Sequence, residues 1–208
     1  MTTAVPVADL THALDLAGVG ANALLGGVKA RERRFDVVGF VALAIVCGLG
    51  GGIIRDTLLQ HGPPLALIYP SYLLTAIGGA LVAYFVNLKG WLWEHSYRLV
   101  DAVALGCWAA AGAERTLEVG LGWLPAVLLG TVTAVAGGVM RDLLLREVPQ
   151  IFGGNTLYAT CATIASVALV IGAYTGHSTA GTIGAVIVGA GLCLLSYRRG
   201  WTLPRKDA

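Results

Sequence analysis

Residues 50–63 read Gly50-Gly51-Gly52-Ile53-Ile54-Arg55-Asp56-Thr57-Leu58-Leu59-Gln60-His61-Gly62-Pro63. Residues 136–149, 86 positions later, read Ala136-Gly137-Gly138-Val139-Met140-Arg141-Asp142-Leu143-Leu144-Leu145-Arg146-Glu147-Val148-Pro149. Both contain Gly-Gly-x-x-Arg-Asp-x-Leu-Leu-x-x-x-Pro. The register continues outward without a gap, so that residues 11–86 align with 97–172 at 17 identities in 76 positions, seven of them within 51–63. Outside the motif Asp15 matches Asp101, Gly20 matches Gly106 and Lys29 matches Arg115. Glu32 matches Glu118, and Tyr72 matches Tyr158. Apolar runs often match by chance; Arg, Asp, Pro and Tyr in one ungapped register do not. The chain is an internal duplication.

Composition fixes the solvent of this duplication. Of 208 residues 56% are apolar and only 12% charged, about half the share in ordinary globular chains, and the mean hydropathy is +0.75. A soluble fold of this size could not cover itself. A net charge of +2 supplies no basic patch for a phosphate backbone, so no nucleic-acid partner is expected. Residues 148–197, 57–88 and 119–140 carry no Asp, Glu, Lys or Arg over 50, 32 and 22 positions. Runs of about 20 apolar residues read as membrane-spanning helices. A membrane β-barrel would need short alternating segments instead. The first residues, MTTAVPVADL, lack a basic region and carry Asp9, which argues against a cleavable signal peptide. Cys47, Cys107, Cys161 and Cys193 each sit alone in an apolar run, without metal-ligand spacing, and read as small buried hydrophobes.

Seven spans fit: 8–28, 37–59, 68–87, 98–114, 123–145, 154–174 and 180–197. The expected fold is an all-α integral membrane protein, two inverted three-helix repeats (10–87 and 97–174) plus a seventh helix (180–197) and a tail (198–208), forming a single membrane domain over 1–208. Three spans per repeat is an odd number, so the second copy enters the membrane from the other side. Loop 29–36 has four basic residues, as does the tail, with Arg198, Arg199, Arg205 and Lys206. The positive-inside rule places both in the cytoplasm and the N-terminus outside. Trp91, Trp93 and Trp201 then fall at the cytoplasmic interface and Trp123 at the external one.

Inverted repeats place sites near the membrane midplane, at interrupted helices in corresponding positions. Gly50, Gly51 and Gly52 in span 2, and Gly137 and Gly138 in span 5, each cost about 1 kcal/mol against Ala in a helix interior, and are expected to bend or unwind both helices. Arg and Asp within a span cost about 2.5–3.5 kcal/mol each near its centre, so they should face a wet cavity or each other. Adjacent helical residues diverge by about 100°, so the expected partners lie across the repeats: Arg55 with Asp142, and Arg141 with Asp56. Paired buried ions could simply lock two helices together. Their duplication favours one shared site or path instead, with Arg55, Asp56, Arg141 and Asp142 at its centre. Asp15 and Asp101 either line that path or cap helices. Tyr72 and Tyr158 either gate it or anchor an interface. Lys29, Arg115 and Glu118, with Glu114, lie at span ends as vestibule candidates. The four histidines fall near span ends or loops and read as ordinary. No His-Glu-x-x-His, Gly-x-Ser-x-Gly or Gly-Lys-Ser/Thr motif is present, so nothing supports an enzyme.

The three-plus-three-plus-one arrangement, with Gly-Gly-Gly-x-x-Arg-Asp at 50–56 and Gly-Gly-x-x-Arg-Asp at 137–142, resembles the prokaryotic branch of the trimeric intracellular cation (TRIC) channels over about residues 10–197. Ala136 stands where the first copy has Gly50. The resemblance implies a homotrimer in the lipid bilayer with a pore in each subunit. It implies pores lined by kinked spans 2 and 5 that pass monovalent cations, chiefly potassium and sodium, with no cofactor beyond the permeating ions. Carried over, the kinks fall at Gly50, Gly51, Gly52, Gly137 and Gly138, and the charged pore residues are Arg55, Asp56, Arg141 and Asp142. Asp56 and Asp142 would attract cations, while the arginines serve structure or gating. The location implied is a prokaryotic plasma membrane. Some bacterial relatives are labelled glycine transporters, so a small-solute transporter using the same inverted repeats stands as the alternative.

Overall fold

The computed structural model describes residues 7–86, 91–152 and 157–203. These form helices α1 (Val7–Glu32), α2 (Val37–Leu59), α3 (Leu65–Ile68), α4 (Pro70–Phe85), α5 (Trp91–Glu118), α6 (Trp123–Leu144), α7 (Tyr158–Tyr174) and α8 (Ser178–Arg199). Seven of them follow the seven expected spans. The four-residue α3 is an addition, a single turn leading into α4. By length and apolar character α2, α6 and α8 can each cross a membrane; α4 and α7 are apolar but have 16 and 17 residues. The protein is an all-helical membrane protein. Residues 154–156 of the sixth span and the tail beyond 203 lie outside the described residues, as do the side chains of Trp91 and Trp93. Trp123 and Trp201 are exposed.

Local chemistry marks several helix ends. Asp36 caps α2 by accepting the Gly39 N–H at 2.8 Å, satisfying one of the orphan donors there. Pro70 opens α4, where a missing N–H costs nothing. Gly200, at φ 63°, ends α8, a left-handed cap that suits Gly.

Side-chain ties gather the ends of the bundle. Arg31 donates to the carbonyls of Tyr84 and Val86, joining the ends of α1 and α4. Arg33 pairs with Glu147, joining the α1–α2 and α6–α7 loops. The Leu157 N–H donates to Ser196 Oγ at 3.1 Å, joining the start of α7 to the end of α8. One end of the molecule is therefore basic, and the starts of α1, α4, α6 and α8 lie at the opposite end. α1 runs towards the basic end. Its repeat mate α5 runs away from it. The two three-helix units are thus inverted.

The alanine-rich α5 is the hub, packed against α1, α6, α7 and α8, with Ala102, Ala109, Ala110 and Ala113 fully buried. The two repeats meet where α2 crosses α6. A Cβ on Gly51 would collide with the Thr133 carbonyl oxygen, and one on Gly137 with the Cys47 carbonyl oxygen. Cys47 and Thr133 are themselves repeat mates, so the contact is reciprocal about a pseudo-two-fold axis. Here the sequence expectation needs correction. Both helices remain α-helical through their glycines, so neither unwinds. The missing side chains are used for backbone approach across the crossing, as small residues commonly are between membrane helices.

Gly51→Ala and Gly137→Ala are each expected to lose about 1–3 kcal/mol of stability, because the obstructing atom is backbone and cannot turn aside. Gly78 has nothing within 4 Å of an added Cβ, and Gly78→Ala should be neutral or slightly stabilising. Thermal melting of the purified proteins in detergent separates the two cases; equal melting temperatures for Gly51→Ala and Gly78→Ala would refute the packing role.

Candidate functional site

One turn beyond the crossing on each helix stands an Arg-Asp pair. The Arg55 Nε donates to Asp56 Oδ1 at 2.8 Å, and its two terminal nitrogens reach Asp15 Oδ2 at 3.4 Å. The other oxygen of Asp56 accepts the Leu65 N–H at 2.8 Å. Tyr72 donates to Asp15 Oδ2 at 2.9 Å. Arg55, Asp15, Asp56 and Tyr72 are all buried, Arg55 at 1% exposure. A cation so enclosed is tolerable only because carboxylates surround it.

The second copy is built alike. The Arg141 Nε donates to Asp142 Oδ1 at 2.8 Å, and the Gln150 N–H donates to Asp142 Oδ2 at 3.1 Å. Tyr158 donates to Asp101 Oδ1 at 3.0 Å. The expected cross-repeat pairs are therefore not formed: each arginine binds the aspartate next to it in sequence. Two facts explain the error. The arginine stem is long enough to fold back over the 100° between neighbours, and each aspartate also accepts a backbone N–H from the segment that follows its helix, Leu65 at the start of α3 or Gln150 in the loop after α6. Gly52 and Gly138 lie beside the Arg55 and Arg141 guanidinium groups, where an added Cβ would make only ordinary contact at 3.7 and 3.9 Å.

Among the described residues, the space around the two networks is unequal. A cavity of about 350 Å³ opens at the end opposite the basic one, with Asp15, Arg55, His12, Tyr72, Arg115 and Glu118 in its walls. Arg115 pairs with Glu118 at 3.2 Å in the wall of this cavity. Its counterpart, Lys29 with Glu32 at 2.8 Å, sits at the basic end, away from this cavity. Below the vestibule a space of about 10 Å³ lies among Gly52, Asp56 and Trp108. Beside Asp101, Arg141 and Tyr158 the space is about 20 Å³. Each holds about one water, too little for a hydrated ion.

Several site residues escaped the sequence reading. Tyr197 of α8 donates to Asp101 Oδ2 at 2.7 Å; α8 lies outside the repeat, so no matched residue pointed to it. His12 lies 3.4 Å from the Tyr72 hydroxyl and meets the Tyr69 and Tyr72 rings edge-on. Trp108 is buried against Gly18, and its Nε1 has no hydrogen-bond partner among the described residues. Tyr72 is no interface anchor, being 3% exposed. The four cysteines are free and buried, and among the described residues no group of three or more His, Cys, Asp or Glu could hold a metal.

Comparison with known proteins agrees with this architecture. A family model described as glycine transporter matches the chain twice, at residues 12–87 and 98–174. A UPF0126 membrane protein of Deinococcus radiodurans is 39% identical over 163 residues, 78% of this chain and 76% of that protein. The UPF0126 inner membrane protein YadS of Escherichia coli K12 is 33% identical over 167 residues, 80% of each. A structure solved to explain conductance through TRIC cation channels matches with a TM-score of 0.85 at 32% identity, over 95% of this chain and 97% of that one. The TRIC trimeric intracellular cation channel orthologue from Rhodobacter sphaeroides matches with a TM-score of 0.86 at 30% identity, over 92% and 99%. Neither the matched fold nor the relatives' names belong to enzymes. With its duplicated helical unit matched twice and its fold shared over nearly the whole chain, the protein belongs to the TRIC/UPF0126 family of membrane proteins.

Proposed function

We propose that the protein is a monovalent cation channel, passing potassium and sodium through a pore within each subunit of a homotrimer. The pore runs beside the α2–α6 crossing, between the Asp15–Arg55–Asp56 and Asp101–Arg141–Asp142 networks, and α2 and α6 bend at their glycines as it opens. The observation that carries this reading is the vestibule of about 350 Å³ leading down to a buried, duplicated set of ionised residues. Ionised side chains at membrane depth mark ion and substrate paths. Carboxylates supply the attraction for cations. The arginines, neutralised by neighbouring aspartates, hold the path together and shape it. The small spaces around Asp101 and below the vestibule support reading this conformation as closed. The basic end, with Arg31, Arg33, Arg146, Arg198 and Arg199, faces the cytoplasm of a prokaryotic plasma membrane, and the N-terminus lies outside.

A cavity open at one end and closed at the other also suits alternating access, and this observation favours the second reading, a small-solute transporter of glycine type. Planar-bilayer recording under a potassium chloride gradient decides between them. A channel gives discrete steps reversing near the potassium potential. Absence of steps, with saturable glycine uptake into liposomes, would establish the transporter and make the vestibule a substrate site.

If aspartates attract the permeant ion, Asp56→Asn and Asp142→Asn should each lower the potassium-over-chloride permeability ratio by roughly threefold or more. Reversal potentials give that ratio directly. Unchanged selectivity and conductance in both variants would remove the aspartates from the path.

A further inference from the structure

The two networks differ in one place that the duplication does not explain. In the first, Asp15 accepts hydrogen bonds from Tyr72 and from Arg55. In the second, Asp101 accepts from Tyr158, the repeat mate of Tyr72, but its other oxygen is taken by Tyr197 of α8 at 2.7 Å. Among the described residues no ion pair joins Arg141 to Asp101; the only carboxylate paired with Arg141 is Asp142. Arg55 bridges two carboxylates. Among the described residues the cavities divide in the same way, about 350 Å³ beside Asp15 and about 20 Å³ beside Asp101.

Tyr197 is firmly placed. The preceding residue, Ser196, is 1% exposed, accepts the Leu157 N–H and donates to the Trp201 carbonyl. It thereby pins the end of α8 to the start of α7. The Tyr197 bond to Asp101 is short and charge-assisted, the strong class of hydrogen bond. The competing donor, Arg141, stands in the wall of the same small cavity.

We propose that Tyr197 is the gating residue of the basic-end half of the path: its hydroxyl holds Asp101 away from Arg141, and opening replaces that bond with an Asp101–Arg141 pair like the Asp15–Arg55 pair of the first repeat. The helix outside the duplication thus acts on the duplicated machinery as a latch. This rests on the channel reading above, and the test includes one readout that does not.

Tyr197→Phe keeps the ring and removes the hydroxyl. In bilayers the ratio of open to closed time is expected to rise roughly tenfold, the scale of one lost hydrogen bond to a charged acceptor. Asp101→Asn also loosens the Tyr197 bond but cannot form the ion pair, so open time should fall. A merely structural role would move both variants in the same direction. Independently of current, Val139→Cys places a thiol in the wall of the small cavity. A charged, membrane-impermeant thiol reagent should label it several-fold faster in the Tyr197→Phe background, the chain without Val139→Cys giving the baseline from the four buried cysteines. Faster labelling in a protein that carries no current would uphold the latch and sink the channel reading. Open time and labelling rate both unchanged, in a Tyr197→Phe protein that melts like the parent, would overturn the proposal. So would a shift of Tyr197→Phe and Asp101→Asn in the same direction.

Discussion

Two peptide carbonyls, those of Cys47 and Thr133, lie against the Cα atoms of Gly137 and Gly51. No other residue type fits either position. This reciprocal contact fixes the distance between α2 and α6, and with it everything placed one turn further along. Arg55 and Arg141 emerge just past the contact, on the far side of it from each other. Each is too distant from the other repeat's carboxylate to pair with it and close enough to its own. The glycines, read in isolation as weak points of two helices, are the fulcrum on which the two halves are joined.

The buried arginines show how a charge becomes tolerable inside a membrane protein. Each guanidinium is met by the neighbouring aspartate, and each of those aspartates is held by an N–H of the segment that follows, from Leu65 at the start of α3 or Gln150 in the loop after α6. These segments therefore do more than connect the long helices: they orient the acceptors that neutralise the cations. Removing one partner would leave a buried charge uncompensated, a loss of about 3–5 kcal/mol. That interdependence accounts for the recurrence of Arg-Asp at the end of each helix, since the helix end and the segment after it are parts of one electrostatic arrangement.

Much of this was legible in the residues. Long apolar stretches, three of them free of charge, located the seven long helices, with α2 matching its expected bounds of 37–59, and the 86-residue register singled out Asp15, Asp101, Tyr72 and Tyr158. What was not legible depends on the third dimension. Helical angles alone misdirected the Arg55 and Arg141 pairing, because they ignore the reach of the arginine side chain and the pull of a backbone amide beyond the helix end. Tyr197 and His12 had no repeat mates of their own type, so a symmetry argument passed over them. Trp108 lay in an apolar stretch where an aromatic residue carries no signal. The duplication reveals what the halves share; what distinguishes them requires seeing which side chains the rest of the chain brings in.

The inversion of α1 and α5 has an electrical meaning. Groups related by a two-fold axis lying in the membrane plane have equal and opposite components along the membrane normal. A transmembrane voltage therefore pushes the Arg55–Asp56 dipole one way relative to its own helix and the Arg141–Asp142 dipole the other. To first order the two responses cancel, and a fully symmetric duplication would be nearly blind to the polarity of the field. The remaining sensitivity lies in the departures from symmetry: a carboxylate held by a cation in one half, and by two neutral hydroxyls in the other.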